Sequence, residues 1–161
     1  MSVLSDVDIA RELGYGELDV SPVNLEEQLQ PASLDIRLGD KIYKVSSDEV
    51  INGDTHCFKP GEFYLGHSME YIDMPNDICA QLTGRSTIGR KGLLVHVTAG
   101  WVDNCFSGEL TFELYNLSSE KVEIPVGSRI AQLVFFRTNR AKNGYDGQYS
   151  KQTGITKSGD V

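Results

Sequence analysis

The sequence is poor in the residues that staple or anchor a fold. Its three cysteines, Cys57, Cys79 and Cys105, are widely spaced and form no Cys-x-x-Cys pair. Neither a disulfide framework nor a zinc knuckle follows from them, and they read as reduced structural residues. No stretch approaches the ~18 consecutive apolar residues of a membrane helix. The amino terminus, Met1-Ser2-Val3-Leu4-Ser5-Asp6, lacks the basic and apolar regions of a signal peptide. These absences lead to the expectation of an intracellular, cytoplasmic protein without a membrane partner. Cationic runs are missing too: 15 Lys and Arg face 23 Asp and Glu, and the net charge of −8 repels polyanions. Nucleic acid is therefore not an expected partner, whereas a small anion held by a few placed cations is. His56, His67 and His96 have no second His or Cys at ligand spacing, so no metal site built from side chains is expected and they read as hydrogen-bonded structural residues.

At 161 residues the chain suits a single domain, 1–161, able to bury about two-thirds of its unfolded surface. Ser5, with Asp8 three residues on and Gly14 beyond, marks a helix over Ser5–Gly14. Asn24, followed by Glu27, caps a second short helix ending at Gln28. After Pro31 the period changes, and Leu34, Ile36 and Leu38 alternate with Asp35 and Arg37 as in a half-buried strand. Short apolar segments then recur between turn residues: Lys41–Val45, Phe63–Gly66, Ile78–Thr83, Leu93–Val97, Leu110–Tyr115, Lys121–Ile124 and Arg129–Phe136. That spacing predicts a mainly β sandwich or barrel, with Ser86–Lys91 the one helical insertion. Residues 138–161 are rich in Gly, Asn, Gln, Ser and Lys, a composition that taken alone reads as a flexible tail.

Three stretches can carry chemistry. In Glu109–Asn116 the apolar Leu110, Phe112 and Leu114 share one strand face, leaving Thr111, Glu113 and Tyr115 on the other. Glu113 is then either a solvated surface carboxylate or an acid–base group held on a rigid strand. Gly84-Arg85-Ser86-Thr87-Ile88-Gly89-Arg90 places two arginines, two hydroxyls and backbone amides between strands. It is either a turn with surface arginines or an anion site. Leu94–Asp103 runs as a strand into a turn at Ala99-Gly100, where a small residue permits close approach of a flat ligand. Asp103 is either a turn-capping residue or a ligand to a sugar hydroxyl. The His-x-Glu and Pro-Cys-x-x-Cys of zinc-dependent nucleobase deaminases are absent, so any deamination here would need another way to make hydroxide.

With these residues in view, the chain resembles the dCTP deaminases, relatives of the trimeric dUTPases. Six segments match in family order: Gln30–Gly39, Gly84–Arg90, Val95–Asp103, Gly108–Asn116, Gly127–Val134 and Gln148–Gly154. The resemblance implies a distorted jelly-roll or β-barrel of the dUTPase-like (β-clip) type with short N-terminal helices, forming a homotrimer with its active sites at subunit interfaces. It makes Glu113 the general base that takes a proton from water attacking C4 of cytosine. Ser86 and Arg90 match the positions that hold the water and orient the carboxylate, with Arg90 reaching across an interface. Ala99 matches the hairpin over the base, and Asp103 the position at the deoxyribose. Thr111 and Phe112, in the Gly108–Asn116 match, are expected substrate contacts. Arg85, Gln132, Tyr145 and Gln152 match positions around the triphosphate, with residues 138–161 as the tail that closes over it. Gln148 stands where the family usually has a phosphate-contacting lysine, and Asp103-Asn104-Cys105 where it commonly has Asp-Pro-Gly.

The implied reaction is zinc-independent hydrolysis of dCTP to dUTP and ammonia, in deoxynucleotide metabolism, with Mg2+ bound only through the nucleotide phosphates. Glu113 favours deamination over dUTP hydrolysis alone, because dUTPases usually carry an apolar or small residue there. In dUTPases the residue at Asp103 activates water, and Ala99-Gly100-Trp101 resembles bifunctional members that release dUMP and diphosphate. A non-catalytic nucleotide sensor is the alternative from another class. dCTP, dUTP and dTTP are the expected small-molecule partners, and the feedback inhibition by dTTP common in the family is compatible with either reading.

Overall fold

The computed structural model describes residues 2–159; Met1, Asp160 and Val161, which end the expected domain and tail, lie outside the described residues. The first half of the chain forms β1 (Ser2–Val3), α1 (Asp6–Tyr15), β2 (Asp19–Ser21), α2 (Leu25–Gln28), β3 (Leu29–Gln30), β4 (Ser33–Lys44), β5 (Glu49–Asn52), β6 (Thr55–Phe58) and β7 (Phe63–Asp73). The second half adds β8 (Ile78–Gly84), α3 (Ser86–Gly89), β9 (Leu93–Leu94), β10 (Trp101–Val102), β11 (Ser107–Asn116), β12 (Val122–Pro125) and β13 (Arg129–Arg137). The expected mainly β architecture with short N-terminal helices is the one observed. No helix among the described residues is long and apolar enough to cross a membrane.

Both early helices start where side-chain capping predicts. Ser5 and Asp8 form a reciprocal capping box at the start of α1, and the Asn24 side chain accepts from the Glu26 amide at the start of α2. The end of α1 differs from expectation. Gly14 stays inside the helix, and Gly16, at φ 72°, takes the left-handed cap that a side chain would resist.

Strand β4 curls the sheet. Its first half pairs with β13 (Leu34↔Leu133, Ile36↔Ala131) and its second with β7 (Ile42↔Gly66, Lys44↔Tyr64), with the register shifting between them. One continuous strand thus belongs to two halves that bend around a shared interior, in the order β10-β8-β13-β4-β7-β11-β9. Leu34, Ile36, Leu38, Ile42, Phe112 and Phe135 fill that interior with no exposure. Burial of each such side chain contributes roughly 1.5–3 kcal/mol. The expected half-buried face of β4 is buried as well, since Asp35 is 0% exposed. Its carboxylate lies 3.0 Å from Arg85 Nε and 3.3 Å from Arg129 Nη1, partners that let a charge persist inside the fold.

The expected strand over Leu93–Val97 is only Leu93–Leu94; residues 95–100 are an irregular loop. The tail is not loose either. Lys151 N–H donates to Ser107 O at 2.6 Å and Glu109 N–H to Gln152 O at 2.9 Å, so the tail lies alongside the start of β11. Gly108 permits this approach, because a Cβ there would sit 3.0 Å from the Gln152 carbonyl.

Candidate active site

Strand β11 alternates half-buried and buried residues along its whole length. The period-2 pattern turns Phe112 and Leu114 into the core and leaves Glu109, Thr111, Glu113 and Tyr115 on the opposite face. Glu113 Oε2 accepts the backbone N–H groups of Val97 at 2.8 Å and Thr98 at 3.0 Å. Two adjacent loop amides are therefore spent on one oxygen of this carboxylate, in charge-assisted bonds. Thr111 Oγ1, two residues away, is buried without a hydrogen-bond partner among the described residues.

Glu113 opens onto a cavity of about 600 Å³, within the ~300–1,000 Å³ typical of small-molecule sites. Ala99, Asp103, Thr111, Glu113, Tyr145 and Gln152 all line it. Sequence reading missed its apolar wall of Tyr43, Phe63 and Leu65, and the tail residues Tyr149 and Lys157 that border it. Nothing in the strand patterns of these residues distinguishes a cavity wall from core. Lys157 Nζ lies 2.6 Å from Asp48 and 4.0 Å from the centre of the Tyr43 ring, which pins the tail beside the opening. The Tyr145 ring packs on Phe106 at 5.9 Å.

Phe112 needs correcting: its ring is fully buried in the core, which leaves only its backbone for any ligand. Arg85, Ser86, Arg90, Gln132 and Gln148 do not line the cavity. Four of them form a second group. Ser86 opens the short helix α3 with Arg85 as its cap residue, Arg90 ends it, and both Ser86 and Arg90 are exposed. Gln132 sits directly between Asp35 and Thr83 across three adjacent strands. Arg85 Nη1 donates to Arg129 O at 3.1 Å, and Arg85 Nε meets Asp35, so the guanidinium is held while part of its donor fork has no partner among the described residues. Burial pushes the Asp35 carboxyl above its usual range, against the pull of the Arg85 and Arg129 guanidiniums. Gln148 is exposed on the tail and does not line the cavity. At the altered turn, Asn104 Nδ2 donates to Asn76 O and Thr138 Oγ1, both at 3.0 Å, while Cys105 takes φ 64°.

A curled antiparallel sheet of this strand order places the chain in the dUTPase-like fold class. Two solved structures share it: the 2'-deoxycytidine 5'-triphosphate deaminase of Agrobacterium tumefaciens has a TM-score of 0.71 at 23% identity, covering 83% of this chain and 47% of that one. The dUTPase of EIAV has a TM-score of 0.56 at 17% identity, covering 81% and 98%. The chain belongs to the dCTP deaminase-like family, which it matches over residues 3–138. A relative from Methanobrevibacter smithii, 37% identical over 155 residues covering 84% of this chain and 80% of its own, is a dCTP deaminase, dUMP-forming. Another from Methanosphaera stadtmanae, 36% identical over 180 residues covering 96% and 91%, has the same description. This chain thus spans most of the length of these relatives and about half that of the Agrobacterium protein.

Proposed function

We propose that the protein deaminates dCTP and hydrolyses the resulting dUTP in the same cavity. The balance is dCTP plus two waters giving dUMP, ammonia and diphosphate. The observation that carries this reading is that Glu113 and Asp103 line one cavity. The dUTP end product implied by the sequence resemblance gives way here to dUMP, because the Methanobrevibacter and Methanosphaera relatives are both described as dUMP-forming.

In the first step Glu113 takes a proton from water as its oxygen bonds to C4 of the pyrimidine. The protonated carboxyl then returns the proton to the departing amine, the C4–N bond breaks to release ammonia, and the hydroxyl left on C4 passes its proton to N3 to give the uracil ring. Val97 and Thr98 amides hold the carboxylate in place for this, so positioning contributes alongside basicity. In the second step Asp103 orients and deprotonates water that attacks the α-phosphate, and diphosphate leaves. Ala99 leaves room for the base. Tyr145 and Gln152 approach the nucleotide from the tail, which forms the cover of the site.

Arg85, Ser86, Arg90 and Gln132 lie outside this cavity, and in the proposed homotrimer they complete the site of a neighbouring subunit. A closed threefold ring brings a different patch of the next subunit against each cavity, as heterologous contacts require. Their cations and hydroxyls suit the triphosphate, and Ser86 and Arg90 the attacking water. No group of three or more His, Cys, Asp or Glu able to hold a metal ion gathers among the described residues. Mg2+ arriving with the nucleotide would be held by its phosphate oxygens rather than by side chains, and would supply charge neutralisation there.

The test is incubation with dCTP and Mg2+, followed by ion-exchange separation of products. Equal amounts of ammonia and dUMP are expected. Ammonia with accumulating dUTP removes Asp103 from the second step, and tight dCTP binding without ammonia replaces the enzyme with a nucleotide sensor.

A further inference from the structure

Outside the catalytic pair, β11 carries one more carboxylate on the same face. Glu109 is only 21% exposed at its side chain, and its Oε2 accepts two bonds: from the Gly154 N–H of the tail at 2.7 Å and from His67 Nδ1 at 2.8 Å. Gln152, which lines the cavity, sits two residues before Gly154, and its Nε2 donates to the Glu109 carbonyl at 2.6 Å. The tail therefore meets Glu109 through both its backbone and its side chain, and the contact falls beside a substrate-facing residue.

His67 is itself fixed. It lies on β7 opposite Thr111, at the register shift between Glu109 and Thr111, where such an irregularity re-aims side chains. Its Nε2 is 3.2 Å from Asp40 Oδ1 and its Nδ1 also lies 2.9 Å from Ser68 O. Gly39 makes room for the ring, since a Cβ at that position would fall 2.3 Å from it. A largely buried, doubly bonded carboxylate holds its partners more firmly than an exposed pair does.

We infer that Glu109 is a positioning residue: with His67 behind it, it docks the tail at Gly154 and so sets Gln152 against the nucleotide. This rests on the proposed reading of the cavity for its effect on catalysis, but the docking itself does not. The contact differs in kind from the Lys157–Asp48 pair, whose side chains are 54% and 77% exposed.

Amide hydrogen exchange of the nucleotide-free protein tests it directly. In Glu109→Ala the tail amides of Lys151 and Gly154 should exchange about tenfold faster, the scale of one lost bond to a charged acceptor. Amides in the β8–β13 pairing should be unchanged, and Glu109→Gln, which keeps shape and loses charge, should fall between. With dCTP as substrate, Glu109→Ala should raise KM by about tenfold with a smaller change in kcat. Unchanged tail exchange in both variants overturns the inference. So does faster exchange spread equally over tail and barrel, which would make Glu109 and His67 a stability element of β7 and β11. Released tail amides in a protein that turns over no dCTP keep the docking and remove the catalytic reading.

Discussion

Replacing Glu113 with Gln removes the proposed base while keeping its shape, and the structure sets how the loss should divide between binding and chemistry. Oε2 of Glu113 accepts two backbone amides, from Val97 and Thr98. A hydrogen bond to a charged acceptor contributes ~1.5–3 kcal/mol and a neutral one ~0.5–1.5 kcal/mol. Weakening both costs about 1–3 kcal/mol, confined to the loop of residues 95–100, against a global stability of ~5–15 kcal/mol. The variant should therefore fold. If half of the loop cost appears in nucleotide binding, KM rises by tenfold or less. Loss of a general base, by contrast, costs ~100- to 10,000-fold in rate, or about 3–5 kcal/mol of barrier. The expected result is near-normal dCTP affinity by calorimetry with ammonia release down at least ~100-fold. Two outcomes refute the reasoning. A kcat within tenfold of the unmodified protein removes Glu113 as base, and a loss seen wholly in KM reduces it to a loop anchor.

Asp103→Asn should leave ammonia release within a few-fold and stop diphosphate release, so that dUTP accumulates in the ion-exchange profile; continued dUMP formation would take the second reaction away from Asp103. Glu113→Gln and Arg90→Ala should each be inactive alone, yet mixing the unfolded chains in equal amounts and refolding them should restore about a quarter of the sites if each site draws on two subunits. No recovery on mixing, with trimers present by light scattering, places both groups in one subunit. Burial and a hydrogen bond to Glu62 raise the Tyr64 hydroxyl from 10.0 to about 12. A group raised on folding contributes stability that is complete below the unfolded value and lost as pH climbs through the folded one. Chemical denaturation should therefore show about 3 kcal/mol lost between pH 10 and 12. Tyr64→Phe should flatten that slope, and an unchanged slope would assign the alkaline loss to other groups.

The strands were legible where one face is wet. Leu110–Tyr115 alternates cleanly, and β11 contains it with Glu113 on the expected side. The same rule failed for Asp35, because a charged residue in an alternating pattern predicts solvent and only the fold brings Arg85 and Arg129 to it. Residues 95–97 looked like strand from Leu93-Leu94-Val95 and Val97, but the Val97 and Thr98 amides go to Glu113 instead, a tertiary competition that propensity does not contain. The tail misled for another reason. Each of its bonds to β11 uses a main-chain group and none needs an apolar residue, so composition carried no sign of its order.

The division of the expected site residues bears on the proposed trimer. Six of them line one cavity, while Arg85, Ser86, Arg90 and Gln132 stand on β13 and α3 away from it. The cavity has acids at Glu113 and Asp103 and, among the described residues, only Lys157 as a basic lining residue, which is already paired with Asp48. A triphosphate brought there alone would meet two carboxylates with little compensating charge, a repulsion that a net charge of −8 increases. The proposed reading draws the missing cations from the arginines of the second group. In the proposed trimer the neighbour supplies them, so an isolated subunit should hold the pyrimidine poorly once phosphates are attached. Assembly and triphosphate affinity are then one equilibrium seen from two sides: dilution below the trimer's dissociation range should weaken dCTP binding, and dCTP should in turn hold the trimer together.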